Sequence, residues 1–391
     1  MDGGQVTTLN FALPSEENTM ITLSEESMAN ETHSYHSAVD IAMASALSVM
    51  ALIGVTGNVF ILVAIALSRK LQTKDNIFIV SLSASDMLVC LVQPPQIPGM
   101  IGKNEWPLPM WICNMIAALN IVSVSTSVIT IMAIGLNRCV LITRSRKTYN
   151  RLFSTKIMVG TAILSWLMPP IALAALEATG NGCIGYDTVS RFCICEFQKP
   201  SAKPLIYVVA VSVFVIFVIN MVSYWLILRR VRKSVFSAAK RRASENSLTT
   251  KRDMSRVERQ SIIEFKITMN MLCVISCFTL SICPYACVLL AITFLQGHRL
   301  DAALRSLSFV GPLLVVDSCL NPVIYGSKHP KIRIVIGHML RGRWGKIPQP
   351  SRLLQRFNVR RSSDRDSSAS SRSFTKPLRR ESQNALSEAR L

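Results

Sequence analysis

Seven long apolar runs, a one-sided distribution of positive charge and a short amphipathic stripe after the last run predict an all-α membrane protein. The expected architecture is a seven-transmembrane helix bundle with a short amphipathic membrane-surface helix after the seventh span. Only 17% of the 391 residues are charged, whereas 50% are hydrophobic and the mean hydropathy is +0.36. A soluble domain carries about 25% charged residues. The net charge of +20 would suit a nucleic-acid partner if it formed one surface. It is instead segregated from the apolar runs, and no nucleic-acid partner is expected.

Crossing about 30 Å of hydrocarbon at 1.5 Å per residue takes about 20 apolar residues. The stretches 41–67, 77–100, 114–142, 157–178, 204–228, 267–295 and 303–326 meet that length. Each must be helical, because a backbone in lipid has to satisfy its own hydrogen bonds. Four divisions follow: an acidic N-terminal tail (1–40), the seven-helix domain (41–326), an amphipathic cytoplasmic helix (327–344) and a disordered Ser/Arg-rich tail (345–391).

Orientation comes from the positive charges. Of 43 Lys and Arg, 37 fall in 68–76, 138–156, 229–266 and 327–391, which are therefore cytoplasmic. Residues 1–40 hold seven acids and no Lys or Arg, which puts the N-terminus outside. This predicts a multi-pass plasma-membrane protein. No basic n-region precedes the first span, so a cleaved signal peptide is not expected. Asn30-Glu31-Thr32 is a glycosylation sequon on the outer tail.

After the seventh span, Ile332, Val335, Ile336, Met339 and Leu340 recur at helical spacing between Lys331, Arg333, Arg341 and Arg343. Such a stripe lies on a membrane surface and contacts its lipids. Cys319 is the last cysteine, which excludes a thioester-linked acyl anchor on the tail. Beyond Gly345 the chain is rich in Ser and Arg and is expected to be disordered. Ser244, Ser362, Ser363 and Ser382 follow basic residues and are candidate phosphorylation sites, and a phosphorylated tail would suit a basic partner.

Ionisable groups at membrane depth are costly and mark function by default. Asp86 lies in the second span and Asp317 in the seventh. Ser123 and Ser127 share a face of the third span, and Asn58 and Asn321 complete a candidate polar network. Carboxylates with hydroxyls and amides suit a hard cation such as sodium. A plain packing network is the competing reading. At the inner end of the third span, Arg138 is flanked by Asn137 and Cys139, with Glu264 before the sixth span as its candidate ion-pair partner. Pro284 and Pro322 interrupt the sixth and seventh spans. Outside, Cys113 faces a loop with Cys183, Cys193 and Cys195, and spacing leaves the bridge among them open.

These residues resemble a rhodopsin-like (class A) G-protein-coupled receptor over roughly 45–340. The likeness rests on Gly57-Asn58-Val59, Leu82 with Asp86, Trp106 before Cys113, Asn137-Arg138-Cys139, Trp166, Tyr224, Phe278 with Pro284, and Asn321-Pro322-Val323-Ile324-Tyr325. Local stretches, Asn76–Leu82 among them, are similar to melatonin receptors, to receptors of the Moody and Trapped-in-endoderm type, and to medium-chain fatty-acid receptors. The resemblance implies a receptor, not an enzyme, that passes an extracellular signal to heterotrimeric G proteins, with arrestin and receptor kinases as further partners. It implies an inner switch of Arg138, Tyr224, Asn321, Pro322 and Tyr325 with a latch to Glu264. It implies a sodium site at Asp86, Ser127, Ser318 and Asn321, no other cofactor, and a bridge from Cys113 to Cys195 (alternatively Cys193). The chain departs from the family pattern at Asn137, where an acid is usual, at Cys139 for Tyr, and at Ile282 for the Trp two residues before Pro284. Loss of the acid at 137 predicts raised basal signalling.

The third-span position that carries an acid in amine receptors is Asn120, and 303–326 holds no Lys for a retinal Schiff base. A pocket of Asn120, Val124, Ser125, Ser212, Ile282, Tyr285 and Gly311, with Lys199 or Arg191 at its mouth, predicts a small neutral or lipid-like ligand. Two other classes compete: an ion- or proton-linked seven-span transporter or channel using Asp86 and Asp317, and a scaffold or decoy that does not couple.

Overall fold

A computed structural model describes residues 16–102, 105–244 and 256–356, with side chains from 38 onward except at 234–268, 270 and 271. The helix α1 runs over Glu16–Leu67, followed by α2 (Ile77–Leu91) and the short α3 (Ile97–Ile101). Next come α4 (Met110–Thr143), α5 (Arg146–Leu152) and α6 (Thr155–Ala178). A hairpin of β1 (Ile184–Asp187) and β2 (Phe192–Cys195) leads to α7 (Ala202–Ser244), α8 (Arg256–Phe294), α9 (His298–Lys328) and α10 (Pro330–Leu340).

Among the described residues, seven segments are long and apolar enough to cross a membrane: Ala38–Leu67, Lys74–Ile101, Met110–Thr143, Thr155–Ala178, Ala202–Lys233, Leu272–Phe294 and His298–Lys328. They form the seven-helix bundle that the apolar runs predict. Many Leu, Ile, Val and Phe side chains on α1, α6 and α7 stay exposed, as lipid-facing surfaces require. α4 packs on α2, α6 and α7 and is the central strut. The helices α8 and α9 run on through Pro284 and Pro322, so neither proline ends its helix.

Small residues bring α1 against α2 and α9. A Cβ on Gly54 would lie 2.2 Å from Cys90 Sγ, and one on Gly57 would lie 2.8 Å from Pro322 Cβ. Without side chains at these two points the helix backbones approach closely enough to bury Asn58.

The chain after α10 departs from the sequence expectation. Residues 345–356, expected to be disordered, fold back onto the end of α1. Arg69 N–H donates to Gln349 O (2.8 Å), Ser351 N–H donates to Leu67 O (2.8 Å), and Ser68 Oγ donates to Pro348 O (2.6 Å). Ile347 and Leu354 are buried in the main core with Leu71, Ile332, Val335 and Met339. Apolar residues at 347 and 354, set within a basic stretch, supply the burial that composition alone hides. The stripe on α10 is accordingly covered by protein at Ile332, Val335 and Met339. Ser244 ends α7 and Asn30 lies in α1, but their side chains, like that of Glu264, are outside the described residues, as are Ser362, Ser363 and Ser382 altogether.

Candidate functional site

At the end of the bundle where α4 begins, the hairpin pairs Ile184 with Cys195 and Tyr186 with Cys193. Two disulfides fix it: Cys113–Cys193 and Cys183–Cys195. This corrects the expected Cys113–Cys195 bridge. Glu196 N–H donates to Cys183 O (2.7 Å), so Cys183 stands at the open end of the ladder opposite Cys195 and bonds to it. Cys193, further along β2, meets Cys113 on α4. Tyr186 Oη donates to Gly99 O (2.8 Å) and Cys193 N–H donates to Gln96 Oε1 (3.0 Å), which ties the hairpin to the second span. Burial raises the Asp187 carboxyl above its ordinary range, against the opposing effect of the Ser190 hydroxyl and amide that donate to it.

Beneath the hairpin lies a cavity of about 370 Å³. Asn120, Val124, Ser125, Ser212, Ile282, Tyr285 and Gly311 all line it. Phe192, Ile194, Cys195 and Phe197 form its roof, and Gln93 and Gln96 add polar groups that the sequence reading missed. The Pro94-Pro95 turn just after α2 is the signal that could have found Gln96, which ends that turn. Lys199 is not part of the cavity. Its Nζ pairs with Glu196 Oε1 (2.6 Å) at the surface, three residues away. Arg191 is likewise taken, by Asp40 and by Met100 O. Neither cation is left over for a ligand carboxylate.

Midway down the bundle, the Asp86 carboxylate is fully buried and accepts three hydrogen bonds. The donors are Ser127 Oγ (2.9 Å), Ser318 Oγ (3.1 Å) and Asn321 Nδ2 (2.7 Å). Asn58 Nδ2 donates to Gly54 O and Ser318 O. Asp317 is buried one helical position away, and its Oδ1 has no partner among the described residues. The Oδ1 atoms of Asn58 and Asn321 are also buried without partners among the described residues. Ser123 does not join this group. Its Oγ donates instead to Asn120 O one turn back (3.1 Å). Sharing a helical face with Ser127 is therefore not enough, because each serine satisfies its hydroxyl from the nearest acceptor.

Near the C-terminal end of α4, Arg138 is 4% exposed and its Nε has no partner among the described residues. Asn137 Nδ2 donates to Tyr149 Oη (3.2 Å), and Tyr149 Oη donates to Asp75 Oδ1 (2.7 Å). Tyr149 lies on α5, whose first turn is capped by Ser145 accepting from Thr148 N–H. Burial and then the neighbouring Asp75 push the Tyr149 phenol up to about 12. Cys139 packs with Ile227 and Leu272, and Tyr224 lies against the same group. Tyr325 is fully buried, and its Oη has no partner among the described residues. Below it, His329 Nδ1 accepts from Ile332 N–H and caps α10 (3.3 Å).

The seven-helix bundle, the stapled hairpin over a central cavity and the buried polar column define a heptahelical receptor. Residues 57–325 match the family described as "7 transmembrane receptor (rhodopsin family)", and the chain belongs to that family. It is 27% identical to melanopsin of Felis catus over 299 residues, which cover 74% of this chain and 58% of the relative. It is 28% identical to melanopsin of Homo sapiens over 304 residues, covering 74% of this chain and 59% of the relative. The chain thus spans little more than half the length of these melanopsins. Against melatonin receptor type 1A of Phodopus sungorus it is 26% identical over 290 residues, covering 72% of this chain and 75% of the receptor. The crystal structure of squid rhodopsin has the same fold, with a TM-score of 0.64, 20% identity, and coverage of 78% of this chain and 86% of that one.

Proposed function

We propose that this chain is a plasma-membrane receptor, with its N-terminus outside, that passes the binding of a small neutral or lipid-like ligand to heterotrimeric G proteins. The observation that carries this reading is the cavity: enclosed above by the hairpin, mostly apolar, with Asn120, Gln93, Gln96, Ser125, Ser212 and Tyr285 as its few polar groups. It holds no acidic side chain for an amine and no lysine for a retinal Schiff base among its lining residues. A lipid-like ligand is further supported by the flank of the cavity. α6 packs on α4 and α2 but not closely on α7. Met168 and Ala172 on α6 and Val208 and Ser212 on α7 are exposed while lining the cavity, so it opens toward the bilayer between these helices.

Ligand binding above is read out below through the buried column. Asp86 joins spans two, three and seven, and Arg138 and Tyr325 lie beneath it as the switch that opens to a G protein. A sodium ion fits the column. Asp86, Ser127, Ser318 and Asn321 would hold it, and the three orphaned oxygens of Asn58, Asp317 and Asn321 are acceptors suited to a hard cation. A cation held there would offset the Asp86 charge and link the three spans. Arrestin and receptor kinases are proposed partners of the tail. The transporter and decoy readings have no support in the family match.

Expression with an arrestin-recruitment readout and a screen of small lipids, fatty acids and indoles tests the proposal. A hit should lose its response on Val124→Trp, which fills the cavity, and G-protein activation should fail on Arg138→Ala. A response that survives Val124→Trp would place the ligand elsewhere.

A further inference from the structure

We infer that Asp75 supplies the carboxylate that restrains the inner switch of this receptor, acting on Arg138 through Tyr149 and Asn137. The inference rests on the reading of Arg138 as the switch. The residue before Arg138 is an amide, Asn137, which carries no charge to hold the guanidinium. The structure nevertheless brings a carboxylate to this point along a chain of hydrogen bonds. Asp75 can only accept, so the Tyr149 hydroxyl must donate to it (2.7 Å). That leaves the lone pairs of Tyr149 Oη to accept from Asn137 Nδ2 (3.2 Å). The direction of each bond is fixed by the carboxylate, and so is the orientation of the Asn137 amide: Nδ2 toward Tyr149, with Oδ1, an acceptor, at its other edge.

Hydrogen-bonded chains polarise one another, and the effect is strongest where water is excluded. Asn137 and Tyr149 are 2% and 1% exposed. The charge of Arg138 also reaches Tyr149, where it opposes the influence of Asp75 on the phenol. Asp75 lies in the single turn Lys74–Asn76 before α2, and Asn76 Nδ2 donates to Leu71 O (2.6 Å) and fixes that turn. Lys74 completes the arrangement. Its Nζ lies 4.6 Å from the centre of the Tyr149 ring and donates to Asn150 Oδ1 (3.1 Å) and Phe153 O (3.2 Å). The first inner loop, the second inner loop and α4 are thereby locked together at the switch. Asp75 and Tyr149 are positioning residues in this scheme: they hold Asn137 and, through it, the resting place of Arg138.

The test uses the full-length receptor in membranes and reads ligand-independent nucleotide exchange on added G proteins, at matched surface levels. Asp75→Asn and Tyr149→Phe should each raise basal exchange on the order of tenfold, as loss of about 1.4 kcal/mol from the resting state would. Adding Asn137→Asp, which returns the acid to the switch itself, should bring both variants back to the parent level. Rises that Asn137→Asp does not reverse would overturn the inference and indicate a loosened loop instead. A second measurement covers a receptor with no detectable exchange. Cys273, against Lys328 at the inner ends of α8 and α9, is labelled with a water-soluble thiol reagent after Cys283→Ser and Cys287→Ser. Its labelling rate should rise several-fold in Asp75→Asn and return with Asn137→Asp; an unchanged rate overturns the inference. Arg138→Ala separates the two levels. If it leaves exchange intact, the switch reading fails; if it abolishes exchange while Asp75→Asn is silent, only the carboxylate assignment fails.

Discussion

The folded-back strap over residues 347–354 yields the sharpest stability prediction. Leu354 is 2% exposed and packs in the core shared by Leu71, Val335 and Met339. Truncating a buried Leu to Ala costs about 2–5 kcal/mol. The strap can detach without unfolding the bundle, so this cost appears as local opening. At about 1.4 kcal/mol per decade, Leu354→Ala should increase the open population ~30-fold at the low end and ~4,000-fold at the high end. Two amides report on it directly, because Arg69 N–H and Ser351 N–H bond across the strap. Their hydrogen-exchange protection should fall by that factor, to complete loss if the strap holds by less. An α4 amide such as that of Ile131 should be unchanged. If Arg69 and Ser351 stay within about threefold of the parent, the burial of Leu354 does not hold the strap and the reasoning is wrong.

The two disulfides should differ in weight. Cys113–Cys193 closes 80 residues and Cys183–Cys195 closes 12, so loop-closure entropy assigns about 4.5 and about 3 kcal/mol. Cys193→Ser should therefore lower thermal stability and surface expression more than Cys183→Ser; the reverse order would refute the pairing. His329 gives a pH dependence. Burial and then Arg138 hold its pKa near 4 against an ordinary 6.5, so the neutral imidazole caps α10. The unfolded chain takes the proton first, so stability is complete above pH 6.5 and declines as pH falls toward 4. His329→Asn, which keeps a capping oxygen, should flatten the melting temperature across that window. Sodium should raise the melting temperature relative to choline at equal ionic strength, and Asp86→Asn should abolish the difference. An equal response in the variant would place any ion elsewhere.

Much of this molecule is legible locally. Span positions follow from lengths of apolar chain, because the bilayer imposes a length and forces helical hydrogen bonding on each run. The cavity set Asn120, Val124, Ser125, Ser212, Ile282, Tyr285 and Gly311 was also legible, since all lie in outer halves of spans whose order is fixed. Sequence failed where a side chain chooses among near partners. Lys199 takes Glu196 three residues away, Ser123 takes the carbonyl of Asn120, and Cys195 takes Cys183 across the open end of a hairpin.

The sequence by itself determined the number of spans, the segregation of charge and the family, because burial in lipid and motif spacing act over a few turns of helix. Only the tertiary structure decided which polar groups meet. Asp75 is 62 residues from Asn137 and 74 from Tyr149, and Leu67 is nearly three hundred residues from Ser351. No local pattern records such contacts: a hydrogen bond needs about 3 Å between its atoms, and only the packing of the whole bundle sets that distance.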